Sequence, residues 1–221
     1  MNLPKVRFGT SFCFNQLRCL SRVLISLLLN IALYCYLIKI HVLRGGHLPE
    51  RKTDGAIGYD VYLRAIVSPT EMDPENPDLR KTLFNFRDVP QDKSVVQHIQ
   101  EVNGRLVYRM DPGESVLVGV GFITEMIFPM FYWIGPRSGL ASKWGITVTN
   151  APGTVDPDYR GEAGVLVYNR NPHQFDLEHN MRIAQIIFQF ALIPHFTEVA
   201  SPLDLSGTSR GVGGFGSTGL K

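Results

Sequence analysis

From residue 38 onwards, short apolar runs alternate with polar residues along most of the chain. A period of two is typical of strands with one buried face, because successive side chains in a strand point to opposite sides of the sheet. Gly (21 residues) and Pro (14 residues) are plentiful between the runs, a combination that favours an all-β domain with many turns. The pattern predicts strands at residues 38–42, 106–110, 115–124, 128–134, 163–168 and 182–192, and a turn that leads into a strand at residues 53–65.

Residues 69–105 interrupt this pattern with a polar, proline-containing and highly charged stretch. Within it, Val95, Val96, Ile99 and Val102 have helical spacing and predict one short amphipathic helix. We interpret the stretch as an insertion on the domain surface, a solvated loop that takes no part in catalysis.

Residues 23–37, VLISLLLNIALYCYL, are almost entirely apolar but fall short of the roughly 20 residues that span a bilayer. Three interpretations stay open. The segment is a membrane anchor with Arg18 and Arg22 on the cytoplasmic side, a cleaved targeting sequence, or upstream sequence that the working protein lacks. We favour the third, although Met72, the next methionine, lies too far along to start the domain.

Composition narrows the class of protein. With 44% hydrophobic and 19% charged residues, the 221-residue chain is expected to be globular. A net charge of +2 without a long Lys/Arg run argues against nucleic-acid binding. Cys13, Cys19 and Cys35 all precede the expected core, so no disulfide framework is predicted and a cytoplasmic location is expected, with membrane anchoring through residues 23–37 as the alternative.

Residues 150–161, NAPGTVDPDYRG, place Asp156 and Tyr159 between Gly153 and Gly161, with apolar runs on both sides. This pattern predicts a β-hairpin that carries a carboxylate and an aromatic ring at its tip. Such a tip suits a general base held beside a stacking platform. Asp, Pro and Gly also favour ordinary turns for local backbone reasons, so this stretch alone does not decide between the two.

Four further segments accompany this one, and the order along the chain is GYD (58–60), PRSGLA (136–141), GTVDPDYRG (153–161), RIAQ (182–185) and RGVGGFGSTG (210–219). The set resembles the five ordered motifs of the trimeric dUTPase family, and five motifs in order are far more specific than any one of them. The resemblance covers residues 38–221 apart from the insertion. It implies a jelly-roll-like β-barrel at residues 38–208, followed by a glycine-rich lid at 209–221 and preceded by an extension at 1–37.

The family resemblance also implies an activity. The chain would be a dUTP diphosphatase that releases dUMP and pyrophosphate, keeping uracil out of DNA and supplying dUMP for dTMP synthesis. Asp156 would be the general base that activates the water attacking the α-phosphate. The cofactor would be Mg²⁺, which Asp60 would help to place through water. Tyr159 would pack beneath the deoxyribose and exclude a ribose 2′-hydroxyl.

The remaining substrate-binding positions follow from the same resemblance. They comprise a phosphate loop, a slot for the nucleoside, a supporting strand and the lid: Arg137, Ser138, Gly139, Asn150, Gly153, Thr154, Val155, Arg182, Gln185, Arg210, Phe215, Gly216 and Ser217. The resemblance implies a homotrimer that binds dUTP in sites shared between subunits. Taken singly, an Arg-Ser-Gly turn and a glycine-rich end are also common surface features.

Three alternatives remain. The dCTP deaminase branch of the fold carries a catalytic glutamate at the position aligned with Leu166, and leucine cannot transfer protons. A trimeric nucleotide-binding protein without catalysis is the second, and a membrane-tethered dUTPase is the third. Ammonia release from dCTP, pyrophosphate release from dUTP and partition with membranes discriminate among them.

Overall fold

The computed structural model describes residues 37–90 and 92–213. These residues form fourteen strands, two short α-helices and one 3₁₀ turn at Pro202–Asp204. The helices are α1 (Lys93–Val96) and α2 (Ser138–Trp144). The strands are β1 (Lys39–Val42), β2 (Tyr59–Tyr62), β3 (Ala65–Met72), β4 (Arg80–Phe84), β5 (Ile99–Val102), β6 (Arg105–Met110), β7 (Ser115–Gly119), β8 (Phe122–Glu125), β9 (Met130–Pro136), β10 (Ile146–Val148), β11 (Gly153–Val155), β12 (Gly164–Asn169), β13 (Phe175–Leu177) and β14 (Arg182–Phe190).

Two larger antiparallel sheets hold the core between them. One has the order β10-β12-β7-β3-β4 and the other β11-β9-β14-β2, while β1-β8 and β13-β6-β5 form smaller sheets. Alternate side chains of both large sheets, such as Val118 and Val165 on one and Tyr132 and Ile186 on the other, are buried in a single hydrophobic cluster. Each fully buried apolar side chain of this kind stabilises the fold by about 1.5–3 kcal/mol. The predicted all-β, jelly-roll-like class is confirmed.

The strand predicted at residues 115–124 is wrong in one respect, because it is two strands in different sheets. β7 pairs with β12 and β3, whereas β8 pairs with β1. The chain turns between them at Gly121, which has a φ of +78°, a conformation that L side chains rarely adopt. A Cβ atom at Gly121 would also collide with the backbone of Gly46, so this corner requires glycine.

The helix predicted from Val95 to Val102 is also wrong beyond its first turn. Asp92 caps α1 by accepting the Ser94 N–H at 3.0 Å, and the helix ends at Val96. Ile99 and Val102 lie in β5, which forms a hairpin with β6. The turn is an Asn103-Gly104 pair with φ of +51° and +72°, the sequence and backbone favoured for two-residue hairpins. Side chains three residues apart share a face in a helix but point to opposite faces of a strand, so the spacing of Ile99 and Val102 was misleading here.

Regular structure also occurs elsewhere in the described part of the 69–105 stretch. β3 and β4 extend the five-stranded sheet, and Phe84 of β4 is buried. The stretch is therefore a hairpin, a helical turn and a strand rather than a structureless loop. Its identity as an insertion relative to the family remains an interpretation.

The chain divides into two compact units, of which the first ends at Ala191 and the second begins at Leu192. In the second unit, Ser201 caps the 3₁₀ turn by accepting the Leu203 N–H at 3.2 Å. The predicted lid boundary at residue 209 is a functional prediction that this division does not test. Among the described residues, no helix has both the length and the apolar character needed to cross a membrane. The interpretations of residues 23–36 concern a segment outside the described residues.

Candidate active site

The four-stranded sheet contains parts of four of the five sequence segments, and it brings three of them together at one corner. Gln185, in the middle of β14, lies opposite Asp60 of β2 on one side and Gly135 of β9 on the other. Arg137 follows the end of β9 and Arg182 begins β14. Antiparallel register therefore places the segments GYD, PRSGLA and RIAQ side by side, although they lie more than 40 residues apart in the sequence.

A single carboxylate bridges two arginines at this point. Arg137 Nε donates to Asp60 Oδ1 at 2.9 Å, and Arg182 Nη1 donates to Asp60 Oδ2 at 3.0 Å. Arg137 Nη1 also donates to the backbone oxygen of Arg182 at 2.9 Å. The Asp60 side chain is only 15% exposed, so the bridge is shielded from solvent on most sides. We call these three residues the Asp60 bridge.

Gln185 and Gly58 support the same corner. Gln185 Nε2 donates to the Pro136 oxygen at 2.9 Å, one residue before Arg137. The Gln185 carboxamide covers Gly58 so closely that a Cβ atom at Gly58 would collide with it. Gln185 therefore holds the end of β9, and its part in substrate binding stays a prediction.

The predicted phosphate loop is the first turn of a helix rather than an isolated turn. Ser138 and Gly139 are the first two residues of α2, and Gly145 ends the helix in the left-handed conformation with a φ of +63°. The first N–H groups of a helix have no intrahelical acceptor and favour anions. Seven residues are too few for a helical period to emerge, but the glycine after Trp144 is a typical helix end and was an available signal.

Asp156 does not lie at the tip of a hairpin, and that prediction is wrong. Residues 153–155 form β11, which pairs with β9, whereas the next strand, β12, pairs with β7 and β10 in the other large sheet. The intervening residues cross from one sheet to the other, with a turn closed by the Tyr159 N–H and the Asp156 oxygen at 3.3 Å. The carboxylate is exposed, and within residues 37–90 and 92–213 no cationic side chain pairs with it.

Local contacts give this turn its shape. The Tyr159 ring packs against Gly161, and its hydroxyl donates to the backbone oxygen of Glu162 at 3.2 Å. Arg160 Nη1 donates to the Pro157 oxygen at 2.7 Å. The ring remains 39% exposed, which leaves part of one face available for stacking. Asp156 and Tyr159 are thus presented together, as predicted, by a different backbone arrangement.

Sequence reasoning missed Glu162. Its carboxylate accepts from Arg64 Nε at 2.7 Å and Arg64 Nη2 at 2.6 Å, and from the Gly121 N–H at 2.8 Å. With 2% of its surface exposed, Glu162 anchors the end of the Asp156 turn in the interior. An acidic residue at the start of an apolar run was the available signal, but its partner lies 98 residues away in the sequence.

Asp156 and the start of α2 lie at opposite ends of β9. Val155 pairs with Tyr132 near the beginning of β9, whereas Ser138 follows Pro136 at its end. Four residue steps of extended strand are about 13 Å, and Asp156 lies beyond Val155 in the other direction. One chain therefore does not bring its own Asp156 and Ser138 together.

The other predicted positions lie either in and beside β11 or in the C-terminal part of the sequence. Gly153 pairs with Ile134, and a Cβ atom at Gly153 would lie 3.2 Å from Nδ2 of Asn150, which packs beside it. Thr154 is exposed and Val155 is buried. Arg210 belongs to the second unit, where its Nε donates to the Gly213 oxygen at 3.0 Å. Phe215, Gly216 and Ser217 lie outside the described residues.

Among the described residues, His98, Asp111 and Glu114 have ligand atoms close enough to share a metal ion. The Glu114 oxygens already accept from the Tyr108 hydroxyl at 2.6 Å and from the Asp111 N–H at 2.7 Å. Burial, and then the hydrogen bond to Glu114, raise the pKa of Tyr108. Internal hydrogen bonds account for this cluster, and none of the five sequence segments contributes to it.

Comparison with known proteins decides the family. A family model described as dUTPase matches residues 108–219. A deoxyuridine 5′-triphosphate nucleotidohydrolase from Heliobacterium modesticaldum is 34% identical over 174 residues, which cover 78% of this chain and 90% of that protein. The chain belongs to the dUTPase family. A dUTPase-family relative of the same name from Rhizobium etli is 46% identical over 119 residues, or 54% of this chain and 74% of the relative.

Solved dUTPase structures share the fold. The dUTPase of Staphylococcus bacteriophage 80alpha with dUpNHpp superposes with a TM-score of 0.60 at 16% identity, covering 84% of this chain and 99% of that one. A dUTPase variant from phage phi11, described with a structural Mg(II) ion, gives a TM-score of 0.53 at 12% identity, covering 75% and 97%. The predictions of family, enzyme class and fold are confirmed.

Proposed function

We propose that this member of the dUTPase family is a dUTP diphosphatase that hydrolyses dUTP to dUMP and pyrophosphate. The relatives that bear the name deoxyuridine 5′-triphosphate nucleotidohydrolase include one matched over 90% of its length. The observation that supports the proposal is an exposed carboxylate on the Asp156–Tyr159 turn together with a helix that begins at Ser138, the two features that the proposed hydrolysis of dUTP would use.

Asp156 acts as the general base. Its carboxylate takes a proton from a water molecule as the water oxygen bonds to the α-phosphorus, and the bond from that phosphorus to the bridging oxygen breaks. The electron pair of that bond leaves with pyrophosphate. A positioned base of this kind contributes about 10²–10⁴-fold in rate. The exposure of Asp156 in one chain gives the water access to it.

The nucleoside lies against the same turn. Backbone groups of residues 153–155 read the edge of the uracil ring, with Asn150 next to them. The exposed part of the Tyr159 ring packs beneath the deoxyribose. A ring in that place leaves no volume for a 2′-hydroxyl, so ribonucleotides are excluded by contact rather than by a lost hydrogen bond.

The phosphates lie at the start of α2. The backbone N–H groups of Ser138 and Gly139 and the Ser138 hydroxyl are the donors, and the two guanidinium groups of the Asp60 bridge add positive charge nearby. As the family resemblance implies, Arg210, Phe215, Gly216 and Ser217 would serve as the lid, with Phe215 contacting the uracil and Arg210 the γ-phosphate. Closing the lid excludes bulk water from the phosphate chain and leaves the attacking water beside Asp156.

The active form is a homotrimer with shared sites. The separation of Asp156 from Ser138 by the length of β9 supports this part of the proposal, because a site that needs both groups has to take them from different copies. Closed cyclic symmetry repeats such a contact around the ring and yields equivalent sites.

Magnesium is the predicted cofactor, and the Asp60 bridge does not fit direct coordination of the ion by Asp60. The prediction is that Asp60 places the ion through water, and each Asp60 oxygen already accepts a hydrogen bond from a guanidinium group. A divalent cation close to two guanidinium groups is repelled by both. No step of the reaction is therefore assigned to a metal held by Asp60, and the magnesium requirement remains a prediction that assays with and without Mg²⁺ check.

Subunit mixing tests the shared site directly. Asp156→Asn and Ser138→Ala chains, each deficient in pyrophosphate release from dUTP, are unfolded together and refolded. In an equal mixture about a quarter of the sites regain both groups, because each site draws them from two independently chosen chains. Refolding each variant alone is the control. If the mixture stays as inactive as the separate variants, the shared site is refuted.

A second assay addresses the reaction itself. Leu166 is a partly buried residue of β12, opposite Leu117, and it cannot serve as the acid or base of a deaminase. We expect pyrophosphate from dUTP and no ammonia from dCTP. Ammonia release, or full turnover of dUTP by Asp156→Asn, would contradict the proposed function.

A further inference from the structure

The Asp60 bridge has an unusual charge arrangement for a metal-placing aspartate. One carboxylate lies between two guanidinium groups, so the three side chains together carry a net positive charge. Both carboxylate oxygens are engaged, at 2.9 and 3.0 Å. Hydrogen bonds between ionised groups are the strong ones, particularly when the pair is shielded from water.

Removal of the carboxylate would leave two like charges next to each other. Arg137 Nη1 contacts the backbone oxygen of Arg182 at 2.9 Å, so the two arginines are held together at this position. Without the negative charge between them, repulsion would drive the more exposed side chain, that of Arg182 (41% exposed), towards solvent. Arg137, 24% exposed, would lose the partner of its Nε.

Arg137 is also the residue that precedes α2. It occupies the N-cap position, and its side chain makes no capping hydrogen bond to the helix. Its guanidinium instead donates to the Asp60 carboxylate, while Gln185 holds the preceding residue by donating to the Pro136 backbone oxygen. The direction of the first turn of α2 is therefore set by two contacts with the four-stranded sheet. The Ser138 and Gly139 amides follow directly from this anchored backbone.

We propose that Asp60 is a positioning residue that holds Arg137 and Arg182 and thereby fixes the phosphate-binding turn of α2, rather than a residue that places magnesium. The proposal rests on the proposed function, since it assigns that turn to the phosphates of dUTP. It concerns contacts present in one chain without any metal, and this gives it a test that does not depend on catalysis.

The test is binding of dUpNHpp in the presence of EDTA, measured by calorimetry for the full chain and for Asp60→Asn. Misplaced amides and guanidinium groups weaken phosphate binding whether or not a metal is present. We expect an affinity loss of about tenfold or more, which corresponds to roughly 1.4 kcal/mol. With added Mg²⁺ the ratio between the two proteins should stay the same. A residue that acts through magnesium would instead leave binding in EDTA unchanged and lower affinity only when Mg²⁺ is added, and that result overturns the proposal.

The control is an ion pair in the other large sheet. Lys81 Nζ and Glu71 Oε2 lie 2.8 Å apart between β4 and β3, outside the five sequence segments, whereas Arg109 and Asp176 line the same cavity as Arg137 and Arg182. Glu71→Gln should bind dUpNHpp as the unmodified chain does. An equal loss in Glu71→Gln would show a general charge effect and would also overturn the proposal.

A further variant tests the proposal in case Asp60→Asn does not fold. Asp60→Glu keeps the charge but moves it by one methylene, and it should show a smaller metal-free loss in the same direction. Unchanged binding by Asp60→Glu in EDTA, together with weaker binding in Mg²⁺, again favours the metal role. If the unmodified chain itself does not bind dUpNHpp, the proposed function fails, a result distinct from every outcome above.

Discussion

Arg64 and Glu162 meet through two parallel hydrogen bonds in the interior, Nε to Oε1 at 2.7 Å and Nη2 to Oε2 at 2.6 Å. The Arg64 side chain is 13% exposed and that of Glu162 is 1% exposed. Arg64 lies between β2 and β3, and Glu162 lies where the Asp156 turn enters β12. Together with the Gly121 N–H, the pair connects three places where the chain passes from one sheet to another.

The first prediction concerns the stability contributed at this corner. Glu162→Ala should lower the free energy of unfolding by about 3–5 kcal/mol, because it leaves the Arg64 charge buried without a partner. Urea denaturation of the two proteins measures the difference. Glu125→Gln, which breaks the exposed pair with Lys39, is the control and should leave the denaturation midpoint unchanged. A loss below about 1 kcal/mol for Glu162→Ala would show that Arg64 finds water or another partner.

Local pattern was sufficient for much of the fold. β9 could be predicted because it alternates buried and accessible side chains, as Tyr132 and Ile134 do around Trp133, and β14 because it is a long, strongly apolar run after a polar turn. The family could be predicted because the residue types and order of the five segments are specific. β7 and β8 could not be separated, since the corner at Gly121 depends on the close approach of Gly46, 75 residues earlier in the sequence.

Features that depend on register could not be predicted from the sequence. The distance between Asp156 and Ser138 follows from the pairing of Val155 with Tyr132, and a shift of that register would change it. The Asp60 bridge likewise needs β2 and β9 on opposite sides of β14. Long-range pairing, rather than residue type, decides which predicted residues of one chain lie together.

The second prediction concerns the β5–β6 turn. Gly104 has a φ of +72° and open space around it, so Gly104→Ala adds backbone strain without a collision. We expect a loss of about 1 kcal/mol in the free energy of unfolding. Gly55 has equally open space without a left-handed φ, and Gly55→Ala should be neutral or slightly stabilising. Equal effects of the two substitutions in thermal denaturation would contradict the assignment of the turn.

The third prediction concerns alkaline pH. Burial raises the pKa of Tyr132 from 10.0 to about 12. An unfolded tyrosine loses its proton near pH 10, so between about pH 10 and 12 deprotonation favours the unfolded chain while the native side chain stays protonated. This contribution to stability is therefore complete below pH 10 and is lost as the pH rises through 12, at no more than about 1.4 kcal/mol per pH unit.

Comparison with Tyr132→Phe isolates this contribution, because phenylalanine fills the same space without a titrating hydroxyl. The free energy of unfolding, measured by urea denaturation at several pH values, should fall less steeply above pH 10 in the variant. Parallel pH profiles for the two proteins would show that the hydroxyl reaches solvent and titrates normally.

The fourth prediction concerns Gly58, which lies beneath the Gln185 carboxamide. A Cβ atom at this position would lie 3.1 Å from Gln185 Cδ and closer still to its oxygen, so Gly58→Ala should displace the carboxamide from the Pro136 oxygen. The backbone before Arg137 would then lose one of its two anchors. We expect kcat/KM for dUTP to fall by about tenfold, a loss of roughly 1.4 kcal/mol in transition-state binding, with a smaller change in Tm. Gly55→Ala, three residues earlier in open space, is the matched control and should leave kcat/KM unchanged. Full activity in Gly58→Ala would mean that Gln185 is not needed to hold the phosphate-binding turn.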